Sequence, residues 1–119
     1  VVATPHQVPG TAWMLSIEEI LNKLAELNHA IEIEGMELEV LPGMEIAFDP
    51  LIPDLLEKGQ LLTLGKTSYV LIETPFQQLP LGWEQVVFAI LSKGYFILMA
   101  HPERCAQLAA ELHLVDRLI

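Results

Sequence analysis

The sequence predicts an α/β fold in which parallel strands alternate with helices. Short β-rich runs alternate with helical runs along the whole chain, as they do in βαβ units. Tyr95–Ala100 is almost entirely apolar, which is typical of a parallel strand that is covered on both faces. The helical runs stand where parallel strands need crossover connections. The sequence therefore favours a parallel sheet or a barrel.

The first part of the chain is predicted to hold the end of a strand and one amphipathic helix. Val1–Thr4 is the strand end. Ser16 and Glu19 have the spacing of a capping box, in which each side chain bonds the backbone of the other residue at a helix N-terminus. Apolar residues follow at helical spacing, so the helix is expected to run to about Asn28–Ala30. These residues are Ile17, Ile20, Leu21, Leu24 and Leu27.

The middle of the chain is predicted to hold three strand regions and a short helix. Glu37–Ile46 is the next strand region, interrupted at Pro42-Gly43. Pro53–Lys58 is a short helix, stopped by a glycine. Leu61–Leu64 and Ser68–Glu73 are two strands, and the glycine-containing turn between them leaves a hairpin open.

The last third is predicted to hold a helix, a strand and a final helix. Trp83, Val86, Val87, Ile90 and Leu91 lie on one helical face. Gly94 ends that helix, and the strand Tyr95–Ala100 follows. Pro102 suits the first turn of a last helix, which continues through Gln107–Leu112. Leu114–Ile119 begins a further helical segment.

Composition limits the possible functions. The 119 residues suffice for one domain with a modest core, yet 52% of them are hydrophobic, which is high for this length. The net charge of −10 argues against a nucleic-acid surface. One cysteine excludes an internal disulfide. No apolar run reaches the roughly 20 residues that span a bilayer, and no signal peptide is visible. We expect a cytoplasmic protein without membrane insertion, and a sequence that is a piece of a longer chain.

Four chemically competent side chains follow successive predicted strands. His6, Glu45, Glu73 and His101 stand at or near the ends of these strands. Because the carboxyl ends of parallel strands share one edge, we expect the four side chains to converge there. Imidazole combined with carboxylate suits zinc, manganese or iron, and a carboxylate can bridge two ions. The sequence therefore predicts a divalent-metal site, although no short metal-binding motif is present.

On this pattern alone, ordinary structural roles for these four residues are about as well supported as a metal site. A single histidine near a strand end is more often a hydrogen-bonded loop residue than a ligand. Glu45 follows a Pro-Gly turn and suits a surface position. Glu73 is harder to dismiss, since it extends an apolar strand and a buried unpaired carboxylate is costly.

Two further residues follow His101 in the first turn of the predicted last helix. Arg104 could grip a phosphate with its guanidinium, but the sequence alone favours a surface arginine paired with Glu103 or Glu111. Cys105 is expected to face the core rather than to act as a nucleophile. A cysteine phosphatase needs an arginine six residues further on, and that position is Glu111.

Five motifs occur in an order that resembles one protein family. They are "ATPH" at Ala3–His6, "LPGMEI" at Leu41–Ile46, "LLTLG" at Leu61–Gly65, "YVLIETP" at Tyr69–Pro75 and "AHPER" at Ala100–Arg104. Together they resemble the manganese-dependent protein-tyrosine phosphatases of bacterial capsule and exopolysaccharide operons, in the polymerase-and-histidinol-phosphatase (PHP) superfamily. The likeness extends from Val1 to about Gln107.

The resemblance implies a fold, a metal centre and a substrate class. The fold would be the central part of a distorted (βα)7 TIM-like barrel. His6, Glu45, Glu73 and His101 match metal ligands, with Glu45 as the carboxylate that bridges two of two or three Mn²⁺ ions. Arg104 matches the arginine that contacts phosphate. The substrate would be a phosphotyrosine protein, notably the tail of a cognate tyrosine kinase.

The family's Asp-x-His-x-His and Asp-x-His motifs are absent from this sequence. Residues 1–119 are therefore expected to form a partial PHP-type phosphatase domain without its first and last strands. Exposed strand edges would account for the high hydrophobic content and could support self-association. Two alternatives remain open: a noncatalytic α/β fragment, and a small-molecule phosphatase of the histidinol-phosphate type.

Overall fold

The computed structural model describes residues 1–117 and has an α/β architecture. Six strands and four α-helices follow one another along the chain. The strands are β1 (Val2–Ala3), β2 (His6–Gln7), β3 (Leu41–Pro42), β4 (Glu45–Ala47), β5 (Tyr69–Glu73) and β6 (Phe96–Ala100). The helices are α1 (Ile17–Ile33), α2 (Ile52–Glu57), α3 (Trp83–Ser92) and α4 (Ala106–Ala110). Within residues 1–117, no helix is both long and apolar enough to cross a membrane.

All strand pairings in the two sheets are parallel, as predicted. β1 pairs with β3, and a four-stranded sheet has the order β2-β4-β5-β6. The two sheets are continuous, because residues 2–7 run parallel to residues 41–46. Between the two sheets, the Pro5 carbonyl accepts a 3.1 Å hydrogen bond from the Glu45 N–H. Gly43 lies at this junction, where a Cβ atom would come within 2.8 Å of the Val2 side chain. Only a glycine fits there without displacing β1.

The two faces of the sheet have different environments. Side chains alternate along each strand, so Ile46, Val70 and Ile72 share one face, and all three are buried in the main core. Helices α1, α2 and α3 contribute their own side chains to this core, among them Ile20, Ile52, Leu56 and Ile90. The opposite face of β5 and β6 carries Tyr69, Phe96 and Leu98, each about half exposed. The prediction that Tyr95–Ala100 is covered on both faces is therefore wrong for the described residues.

The capping box of α1 is confirmed. The Ser16 hydroxyl accepts from the Glu19 N–H at 3.2 Å, and the Glu19 carboxylate accepts from the Ser16 N–H at 2.8 Å. The helix runs to Ile33, beyond the predicted end. Before β3, the side-chain amide of Asn28 bonds both the N–H and the carbonyl of Val40. The chain before β3 therefore packs along α1 instead of extending the strand to residue 37.

The predicted strand Leu61–Leu64 is wrong, and so is the hairpin. Leu61 is buried in the main core, but its backbone belongs to no strand. A 3₁₀ turn follows at Leu64–Lys66, where Gly65 and Lys66 have positive φ values of 57° and 63°. This segment is apolar because Leu61 and Leu62 pack into or against the main core. Sequence alone does not distinguish such a buried loop from a buried strand.

The predicted last helix is two separate segments. Pro102–Arg104 forms a 3₁₀ turn, and α4 begins at Ala106. Cys105 between them is extended and fully buried, in a small cluster with Leu79, Leu108 and Leu114. Its burial agrees with the predicted core position, although it caps α4 instead of lying within a helix. A 3₁₀ segment spans Leu112–Arg117, and residues 118 and 119 of the predicted last segment lie outside the described residues.

Candidate metal centre

Parallel pairing brings His6, Glu45 and Glu73 to one edge of the four-stranded sheet. His6 lies opposite Glu45 in register, and Ala47 of β4 lies opposite Glu73. Glu73 in turn lies opposite Ala100, so His101 leaves β6 beside it. The positions differ in detail from the prediction, because His6 lies within a two-residue strand of its own and Glu45 begins β4 instead of following a strand.

The four side chains converge closely. His6 Nε2 lies 3.4 Å from Glu45 Oε1, and His6 Nδ1 lies 3.6 Å from Glu73 Oε2. His101 Nε2 lies 2.9 Å from Glu45 Oε1 and 3.9 Å from Glu73 Oε1. The carboxylate side chains of Glu45 and Glu73 are only 13% and 17% exposed, whereas that of His6 is 61% exposed. Two carboxylates are thus held in a largely dry cleft between two imidazoles, with His6 at its open side.

The backbone at His101 places its side chain in this cleft. Ala100 shares a sheet face with Glu73, so a regular strand would send the next side chain to the helix-covered face. His101 instead has φ 30° and ψ 59°, a left-handed conformation that is uncommon for residues other than glycine. The turn redirects its imidazole towards Glu45, and the Arg104 N–H holds it by donating to the His101 carbonyl at 3.0 Å.

The donor set fits a divalent metal ion. Ligands about 2.1 Å from a tetrahedral ion lie about 3.4 Å from one another, which is the distance between His6 Nε2 and Glu45 Oε1. Ligand atoms of His6, Glu45 and Glu73 all lie within 4.8 Å of one another. The Nδ1 atom of His101 is buried without a hydrogen-bond partner in the described residues, so its imidazole is oriented through Nε2 alone. Imidazole nitrogen with carboxylate oxygen is chemistry that suits manganese, iron or zinc.

Arg104 lies beside the cleft without joining the cluster. It ends the 3₁₀ turn that starts at Pro102, three residues after His101, and its side chain is exposed. Among the side chains of residues 1–114 its guanidinium forms no ion pair, so the surface pairing with Glu103 or Glu111 that the sequence alone favours is not found. The arginine remains available to an anion.

Two buried or half-buried glutamines that support the site were missed from the sequence. Gln7 is fully buried beside His6, and its side-chain carbonyl accepts from the Leu15 N–H at 2.8 Å. Gln107 in α4 accepts from the Leu79 N–H at 3.0 Å. Each fastens a loop that follows a strand of the site. The only signal in the sequence is a glutamine among apolar neighbours, which is too common to be informative.

Comparison with known proteins assigns the chain to a family. The capsular polysaccharide synthesis family CpsB/CapC matches residues 1–119. The chain belongs to this family. The tyrosine-protein phosphatase YwqE of Bacillus subtilis is 34% identical over 119 residues, and the putative tyrosine-protein phosphatase CapC of Staphylococcus aureus is 30% identical over the same length. The matches cover 100% of this chain and 46% of each relative, so the chain spans about half the length of these CpsB/CapC proteins.

A solved structure confirms the predicted fold class. It comes from a study of YwqE from Bacillus subtilis and CpsB from Streptococcus pneumoniae, described there as unique metal-dependent tyrosine phosphatases. The superposition has a TM-score of 0.86 at 35% identity and covers 98% of this chain and 48% of the solved one. The CpsB/CapC chain therefore has the parallel α/β architecture expected of a barrel segment.

Proposed function

We propose that the complete protein containing this chain is a metal-dependent phosphatase that removes phosphate from tyrosine residues of proteins. The observation that carries the proposal is the convergence of His6, Glu45, Glu73 and His101 at one sheet edge, with the exposed Arg104 three residues after His101. Relatives that carry the name tyrosine phosphatase support this reaction over others. The reaction would serve the regulation of capsular or exopolysaccharide synthesis in the cytoplasm.

Each residue has a proposed role. His6, Glu45, Glu73 and His101 bind divalent ions, with Mn²⁺ as the proposed metal. Glu45 would be the carboxylate shared between ions, since its Oε1 atom lies near both imidazoles, at 3.4 and 2.9 Å. Arg104 pairs with the phosphoryl oxygens through its planar guanidinium. The ligands that complete the centre belong to the part of the protein beyond these 119 residues.

The residues of the cleft prepare phosphate-ester hydrolysis without a protein nucleophile. Bound divalent ions supply an acidified water as nucleophile and positive charge opposite the phosphoryl oxygens. The low exposure of Glu45 and Glu73 keeps bulk water from competing with these contacts. Arg104 stabilises the charge that develops on the phosphoryl group. Cys105 is fully buried and takes no part.

The proposed partner is a phosphotyrosine protein, in particular a cognate bacterial tyrosine kinase. The cleft opens at His6, whose side chain is exposed, so a tyrosine on a flexible protein tail could enter from that side. The net charge of −10 gives no support to a nucleic-acid substrate.

The full-length protein, assayed on p-nitrophenyl phosphate and a phosphotyrosine peptide with added Mn²⁺, tests the proposal. We expect activity that a chelator abolishes and that His101→Ala lowers at least about 100-fold, because losing even a group that only orients a metal ligand costs 10–100-fold. His29→Ala is the matched control, since His29 is an exposed histidine on α1, outside the cleft. Activity that persists in chelator or in His101→Ala would contradict the proposal, as would an inactive protein.

A further inference from the structure

We propose that Phe76 contacts the aromatic ring of the substrate's phosphotyrosine and thereby favours aryl over alkyl phosphates. This inference rests on the phosphatase function proposed above and adds a specificity-determining residue to it. Phe76 follows Glu73 by three residues, so it leaves the sheet at the edge where the proposed ligands converge. Its side chain is 61% exposed.

The loop that carries Phe76 is packed, yet the phenyl ring stays outside. Thr74 and Leu79 of the same loop are buried, with exposures of 4% and 7%. A loop that already buries its neighbours could also bury a phenylalanine, since burial is the favourable state of an apolar ring. Phe76 instead stays accessible in the described part of the chain, where an apolar ligand at this edge would cover it.

Three hydrogen bonds fix the position of this loop. The Ala106 N–H donates to the Phe76 carbonyl at 2.8 Å, and the Gln107 N–H donates to the Gln77 carbonyl at 3.0 Å. The Gln107 side chain closes the set by accepting from the Leu79 N–H at 3.0 Å. A ring attached to a backbone held at its own carbonyl presents a preorganised surface and loses little entropy when a ligand binds.

The same bonds place Phe76 beside the segment that carries the proposed phosphate contact. Ala106, its hydrogen-bond partner, comes two residues after Arg104, whose guanidinium is exposed and unpaired within the described residues. An apolar ring and a cation therefore lie on adjacent backbone segments at the edge of the metal cleft. Phosphotyrosine has the matching chemistry, with a dianion at one end and an apolar ring behind it.

Other exposed apolar side chains do not share this position. Tyr69, Phe96 and Leu98 lie on the half-exposed sheet face below the cleft, and Phe88 lies on α3. Trp13 is exposed in the loop after β2, where its carbonyl accepts from the Val8 N–H at 3.3 Å, so it is linked to the His6 segment and not to the segment of Arg104. Among the exposed aromatic residues, Phe76 is the one directly next to a proposed ligand strand and hydrogen-bonded to the Arg104 segment.

Binding of two anions by the Mn²⁺-loaded full-length protein tests this inference. Calorimetry gives the dissociation constants of inorganic phosphate, which lacks a ring, and of phenylphosphonate, which carries one and is not hydrolysed. We expect Phe76→Ala to weaken phenylphosphonate about tenfold, the scale of one aromatic contact, and to leave phosphate within about twofold. Phe76→Tyr keeps the ring and should bind both anions like the wild type.

The control is Phe88→Ala, which removes an exposed phenyl from α3 and should change neither constant. Phe76→Leu keeps an apolar side chain without a ring. If Phe76→Ala has a lowered Tm, the leucine variant tests the role of the ring, and it should also bind phenylphosphonate more weakly than wild type. Equal weakening of both anions, or no weakening of phenylphosphonate, would overturn the role of Phe76 alone. A wild-type protein that binds neither anion would overturn the proposed function as well.

Discussion

The two faces of the β4-β5-β6 sheet show how one set of strands divides stability from chemistry. Ile46, Val70 and Ile72 point to the helices and are almost completely buried. Their neighbours in sequence, Glu45 and Glu73, point to the other face and form the candidate metal centre. Alternation along a strand makes this division possible, since adjacent residues meet different environments. Substitutions on the buried face should therefore change stability, and substitutions on the other face should change activity.

Glu73→Gln should have the largest effect and should be confined to the chemical face. The amide removes the charge of one proposed ligand but keeps its size, so we expect at least about a 1,000-fold loss of phosphatase activity in the full-length protein, more than the cost of losing a group that merely orients a ligand. The free energy of unfolding without metal should stay within about 1 kcal/mol of wild type, because the Glu73 side chain pairs with the histidines of the site on the face away from the main core. Activity assays and urea titration measure the two quantities, and a variant that keeps wild-type activity would remove Glu73 from the site.

Ile72→Ala, at the adjacent position, should give the reverse result. Ile72 is 2% exposed and belongs to the main core, so its truncation should lower the free energy of unfolding by about 3 kcal/mol. The protein that remains folded should keep its affinity for Mn²⁺, since the side chain points away from the cleft. Denaturant titration and calorimetry at a temperature where the variant is folded check the two outcomes. A loss of metal affinity matching that of Glu73→Gln would show that the faces are not independent.

Features that depend on local sequence were predicted well. The capping box at Ser16, the helix α3 and its glycine stop all depend on residues within one or two turns of each other, and all three are confirmed. The convergence of the four proposed ligands was also predictable, because parallel pairing follows from the alternation of strands and helices. Their exact register was not, since a two-residue strand such as β2 has no recognisable pattern.

Features that depend on tertiary contacts were not predictable. Leu61 looks like a strand residue because a buried loop and a buried strand require the same apolar character. The left-handed turn at His101 has no clear signature, since histidine adopts a positive φ only occasionally and a residue before proline favours extended backbone. The Gln107 side chain reaches Leu79, 28 residues away in sequence, and only the fold brings them together.

Stability should also depend slightly on pH through the capping box of α1, one of the helices that cover the buried face of the sheet. Hydrogen bonds from the Ser16 hydroxyl and then from its backbone N–H hold the pKa of Glu19 below its ordinary value of 4.5. The unfolded chain therefore binds more protons near that pH, and stability rises with pH there. The contribution is complete above pH 4.5 and is lost as pH falls through the lowered pKa of the folded state.

Ser16→Ala removes the partner and should cost about 1 kcal/mol at pH 7, the usual cost of losing a helix cap. The gap between Ser16→Ala and wild type should narrow below pH 4.5, because wild type loses there the bond from the Ser16 hydroxyl to the Glu19 carboxylate, which the variant already lacks. Glu19→Gln keeps a side chain able to close the box but no titrating group, so its stability should be flatter in acid. Glu18→Gln, one residue away and outside the box, controls for the loss of a first-turn charge. Thermal unfolding from pH 3 to 7 measures all four proteins, and a gap that stays constant across that range would show that the box contributes no proton linkage to α1.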